Sequence, residues 1–241
     1  MGKGIKAHLG VLGLPAVHCG FFLVFYNNIV NLIPPAMHTR LYVGLNVIVL
    51  LVVCSCAYKF WGFRMADAGI RRGGLWTSLG YGICLVAIII IPLFIGLWML
   101  PRIGVSLPAI RLDEMAQEGL VSRLLIRIPL GTAIFEEMLF RGIFLGLLLK
   151  ELRPQGALLS SSLMFGVWHI VPALKVMFRN FGVSSVLPGT GMFILGILGA
   201  VIAGYFFGWV RIRTNNIIGP VIAHLLINDI ALVAIYFLWK T

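Results

Sequence analysis

Seven long apolar runs dominate this 241-residue chain, at 11–33, 41–58, 75–100, 129–149, 156–174, 189–210 and 217–239. Runs of this length cross a bilayer as helices, because only a helix satisfies its own backbone N–H and C=O groups where water is absent. Hydrophobic residues make up 60% of the chain and charged residues 11%, with a mean hydropathy of +1.02, far from a soluble domain. No alternating apolar/polar strands of a membrane barrel are present. The expected fold is therefore all-α: a polytopic membrane helix bundle of about seven transmembrane helices, forming one integral membrane domain over 1–241. The count becomes eight if region 101–127 dips into the bilayer. Spacing of Leu112, Met115, Ala116 and Leu120 there favours an interfacial amphipathic helix. The net charge of +11 resides mostly in the connections, where membrane topology accounts for it and a nucleic-acid partner is not needed.

Against this apolar background, the stretch Phe135-Glu136-Glu137-Met138-Leu139-Phe140-Arg141-Gly142 is anomalous. An ionised side chain at the centre of a span costs roughly 2.5–3.5 kcal/mol on insertion scales, so such groups face the protein interior and are paired or functional. Glu137 and Arg141, four apart, share a helix face and can pair, whereas Glu136 points elsewhere and needs a partner from another helix. The other polar residues of the last spans are few: His169, His224, Asn228 and Asp229. His224 and Asn228 are also four apart and act on one side of their helix. Helical rise puts Glu136, His169 and Asn228 at similar depths, with His224 one turn away. That set suits hydrolysis. Asp229 lies about 100° round from Asn228 and is left out, and Phe165 is read as a cavity wall. Gly196, Ala200, Gly204 and Gly208 form a smooth ridge for helix packing. Cys19, Cys54, Cys56 and Cys84 have no metal-site spacing and are read as small core residues without a disulfide.

Three motifs follow one another, each in its own apolar run: Glu136-Glu137-x-x-x-Arg141, Phe165-x-x-x-His169 and His224-x-x-x-Asn228. In this the chain resembles the CPBP intramembrane protease family, which includes the type II CAAX prenyl endopeptidases and the Abi bacteriocin-processing proteins. The resemblance covers about 120–239, a CPBP-like catalytic core, and leaves the first three spans without a signature. It implies an intramembrane endopeptidase in which Glu136 and His169 activate water, with Glu136 as general base. His224 and Asn228 would donate to the oxyanion, and Glu137 with Arg141 would give structural support. It also implies a protein or peptide substrate at the membrane: a prenylated C-terminal peptide, a leader-bearing precursor or a protein with a sorting tail. The lipid bilayer is the other partner, in a multi-pass protein of the inner or plasma membrane. No cofactor is required on this reading. Two alternatives stand beside it: a zinc peptidase with Glu136, His169 and His224 as ligands, and a non-enzymatic transporter or binding scaffold.

Overall fold

The computed structural model describes residues 15–99, 102, 119–181 and 186–238. Its first three helices are α1 (Pro15–Leu32), α2 (Pro35–Trp61) and α3 (Leu75–Met99). A continuous helical run, α4, begins with Leu120–Ser122 and ends with Leu145–Glu151. Between these it passes through two π-wound stretches, Arg123–Ala133 and Met138–Phe144, on either side of the α-wound Ile134–Glu137. There follow α5 (Pro154–Trp168), α6 (Ile170–Phe181), α7 (Val186–Thr214) and α8 (Ile218–Leu238). Among the described residues no strand occurs, and the fold is a helical membrane bundle.

Each of the seven apolar runs is represented by helix, but among the described residues only four helical stretches are long and apolar enough to span: Ala36–Trp61, Leu75–Ile95, Pro154–Phe178 through the α5–α6 junction, and Gly189–Thr214. The reasons lie in composition. Helix α1 carries Asn27, Asn28 and Asn31, and α4 carries two carboxylates and a guanidinium. Region 101–127 also departs from expectation. Its centre, including Leu112 and Met115, lies outside the described residues, while from Leu120 onward the chain is already part of α4. Pro129 therefore sits inside a helix instead of opening one, within π winding that accommodates its missing N–H.

Helix α4 is the axis of the bundle. Phe135, Leu139, Phe140, Ile143, Phe144, Leu145, Leu147 and Leu148 are all buried. They pack with Cys19 and Leu23 of α1, Val53 and Ala57 of α2, and Ala157, Phe165 and Trp168 of α5. A second cluster joins Leu85, Val86 and Ile90 of α3 to Phe207 and Val210 of α7 and Ala223 of α8. The small-residue ridge of α7 does pack closely. A Cβ on Gly204 would lie 3.3 Å from the Ser162 Cα, and one on Gly208 would lie 2.6 Å from Leu158 Cδ1. Outward apolar side chains such as Leu51 at 63% exposure and Leu195 at 70% are the lipid face.

At the end of the bundle nearest Glu151, one arginine ties the α2–α3 connection to α7. Buried Arg211 donates from Nη2 to the Asp67 carbonyl at 2.7 Å and from Nε to the Ala68 carbonyl at 3.2 Å. Gly69 passes close over that guanidinium with φ +80, and a Cβ there would stand 2.2 Å from Arg211 Nε. Glycine alone meets both demands.

Helices α5 and α6 meet at a break that proline chemistry explains. Pro172 has no N–H to give to the carbonyl four residues back, that of Trp168. His169, between the two, has φ −89 and ψ 1, in the bridge region. The orphaned Trp168 carbonyl is taken up from another helix: Asn27 Nδ2 of α1 donates to it.

Candidate functional site

Glu136 projects from the α-wound turn of α4 and is 5% exposed. Its two oxygens differ. Oε1 accepts from Trp168 Nε1 at 3.2 Å, while Oε2 is buried without a hydrogen-bond partner and stands 4.0 Å from His169 Nε2. The partner that the sequence required from another helix is thus supplied by the α5–α6 junction. His169 donates from Nδ1 to the Phe165 carbonyl at 2.7 Å, since a carbonyl only accepts. In the neutral ring Nε2 is then a lone-pair acceptor turned toward Glu136. The histidine side chain is 29% exposed and its carboxylate neighbour 6%, so the pair lies at the boundary of the buried interior.

Glu137 faces the other way and is fully buried. Its Oε1 accepts from Arg141 Nη1 at 2.8 Å, the pairing expected from their spacing. The same oxygen lies 2.8 Å from His224 Nδ1 on α8, a contact between residues 87 apart in the chain that no local spacing signals. Glu137 therefore ties α8 to α4 as well as pairing along α4. Phe165 is more than a wall. Its ring lies 4.1 Å from the Arg141 guanidinium carbon and packs edge-on against the rings of His169 at 4.5 Å and His224 at 6.2 Å. Phe207 of α7 covers the guanidinium from another direction at 5.1 Å and flanks His224 at 5.6 Å.

Asn228 lies one turn beyond His224, half-buried and with no side-chain hydrogen bond among the described residues. It shares the His224 side of α8, and among the described residues no hydrogen bond joins it to Glu136 or His169. The neighbouring Asp229 has a buried Oδ1 without a hydrogen-bond partner and borders a cavity of about 580 Å³. Phe94, Leu124, Leu125 and Val233 line the same cavity.

Two pairs result, Glu136 with His169 and Glu137 with His224, set on adjacent residues of one helix and joined by the Phe165 ring. Against known proteins, residues 118–230 match a family model described as type II CAAX prenyl endopeptidase Rce1-like. This segment is similar to that family. No curated protein and no solved structure gives a match to the chain. The Rce1-like segment contains both pairs, Arg141, Phe165 and Asn228, but not α1 to α3, from which Asn27 reaches the Trp168 carbonyl and Asn46 Nδ2 donates to the Gly131 carbonyl at 2.7 Å. No motif or spacing in the sequence marks these supporting asparagines. Their signal was the cost of an amide within an apolar run, which demands a partner.

Zinc ligation by Glu136, His169 and His224 fits this geometry poorly. Among the described residues no group of three His, Cys, Asp or Glu side chains is placed to hold a metal ion. His224 Nδ1 is engaged by Glu137, and Oε1 of Glu136 by Trp168.

Proposed function

We propose that the chain is an intramembrane endopeptidase in which Glu136 is the general base and His169 its partner, acting on an S-prenylated peptide. The observation that carries the reading is the 4.0 Å separation of Glu136 Oε2 and His169 Nε2. Both atoms are acceptors, and a water roughly 2.8 Å from each can donate one hydrogen to either. Its oxygen lone pair then points away from both, toward a carbonyl carbon.

Peptide hydrolysis on this arrangement balances as follows. The water oxygen adds to the carbonyl as Glu136 Oε2 takes its proton, and the C=O electron pair becomes the oxyanion. His224 Nε2–H and the Asn228 amide donate to that oxygen. The C–N bond then breaks and Glu136 returns the proton to the leaving amine. Glu137 has a stated part: with its carboxylate at Nδ1, the His224 ring carries an Nε2–H only as the imidazolium, a form the carboxylate stabilises. Arg141 pairs with the same Glu137 oxygen from along α4. The Rce1-like match supports the reaction class, and the description of that family supports a prenylated substrate. The transporter or scaffold alternative gains no comparable support.

The test is turnover of an internally quenched, S-farnesylated peptide by purified protein. Glu136→Gln and His169→Ala should each lose roughly 10²-fold or more in kcat, with helical content unchanged. Undiminished cleavage by the Gln variant would remove Glu136 from the chemistry.

A further inference from the structure

We infer that Trp168 is a positioning residue for the general base: its indole N–H occupies one oxygen of Glu136 and thereby fixes the other as the atom that takes the proton. The inference rests on the peptidase reading above. Trp168 donates to Oε1 at 3.2 Å, and the residue after it, His169, faces Oε2. Two consecutive residues of one helix end thus divide the two oxygens of one carboxylate between them. An indole nitrogen donates and never accepts, so Oε1 is held as an acceptor and the carboxylate is kept from rotating.

The indole is itself immobilised. Trp168 is 3% exposed, and its ring packs against Phe140 at 5.3 Å, Phe135 at 6.1 Å and Tyr26 at 6.3 Å. Its backbone carbonyl, freed by Pro172, is secured by Asn27 of α1. The chain of restraint runs from Asn27 through the Trp168 backbone to the indole and then to Glu136. Helix α1, outside the Rce1-like segment, is thereby connected to the base.

Labelling the indole nitrogens of the six tryptophans with ¹⁵N tests the bond directly, with the Trp168 Nε1–H resonance assigned from Trp168→Phe. That resonance should shift in Glu136→Gln, which alters the acceptor at Oε1. Other groups in electrostatic range are His169 at the α5–α6 junction, Glu137 and Arg141 on α4, His224 of α8 behind Glu137, and Tyr42 of α2. His169→Gln and Tyr42→Phe are the controls that separate them. Function is read with benzothienylalanine at position 168, which keeps the shape of the indole and lacks the N–H. The farnesylated quenched peptide should then show kcat reduced roughly 10- to 100-fold, part of what a general base contributes, with KM unchanged. A Trp168 resonance indifferent to Glu136→Gln would overturn the bond. A benzothienyl variant with parental kcat would overturn the positioning role while an inactive Glu136→Gln upheld the peptidase reading. An active Glu136→Gln would overturn both.

Discussion

A single oxygen, Oε1 of Glu137, holds two nitrogen partners from different helices, Arg141 along α4 and His224 across to α8. Removing one partner leaves the other charge buried and uncompensated, at a cost of about 3–5 kcal/mol. Arg141→Leu and Glu137→Leu should each lower the unfolding temperature in detergent, and the double variant should regain part of the loss. It should not regain turnover, because His224 still lacks its Nδ1 partner. Parental stability in both single variants would show that the pair contributes nothing. At this scale the sequence was informative where chemistry was local. Glu137 and Arg141 declared themselves by four-residue spacing, and Glu136 by having no partner in its own helix. The Glu137–His224 and Trp168–Glu136 bonds were hidden because each joins two helices whose rotation about their axes no single-helix pattern sets. A tryptophan beside a histidine in an apolar run was the one hint, since a buried indole N–H seeks an acceptor.

Helix junctions and helix contacts turn these residues toward one another. Pro172 makes the α5–α6 break by denying Trp168 its helical hydrogen bond, and the break presents His169. Pro172→Ala restores the N–H, which would compete with Asn27 for that carbonyl and favour a continuous helix. The expected outcome is equal or higher thermal stability with turnover reduced roughly 10-fold or more, the trade found where activity needs a local geometry that a more stable helix would remove. Parental turnover in this variant would show that the break is incidental. Packing of α8 on α3 is equally demanding. A Cβ at Gly219 would stand 2.1 Å from the Ser78 carbonyl oxygen, and the Gly219 N–H donates to Ser78 Oγ at 3.0 Å. Gly219→Ala should therefore cost about 1–3 kcal/mol and displace His224, five residues on, as read by melting temperature and kcat together. Apolar runs located most of the helices to within a few residues, although α5 begins at Pro154, ahead of the run at 156–174. They misplaced the start of α4, because Pro129 looks like a helix opener to any local rule, and they gave no sign of a break caused by a proline three residues past it.

The whole bundle is an α4 axis wrapped by helices whose outer faces meet lipid, with much of its charge at the ends. At one end Asp67 accepts from the Arg64 backbone N–H and from Lys150 Nζ, both at 3.0 Å, and these hold its carboxyl below the ordinary range. Because the folded value is lowered, the contribution is present at neutral pH and is lost as pH falls through that value. Asp67→Asn should thus be slightly less stable at pH 7, by under about 1 kcal/mol for so exposed a pair, and the difference should shrink as the pH falls below about 4. A gap that persists undiminished in acid would show that the carboxylate charge is not its source. Metal content is likewise a property of the purified whole: turnover should survive chelation, and chelator-sensitive activity restored by zinc would overturn the metal-free mechanism. The Asn27 bond to the Trp168 carbonyl carries a consequence for how the molecule can be divided. Expressed by itself, the portion from residue 119 onward would retain every motif and yet leave that carbonyl without its donor. Supplied in the same membrane with a separate polypeptide containing α1 to α3, it should reassemble and regain cleavage, and Asn27→Leu in the smaller piece should weaken the rescue.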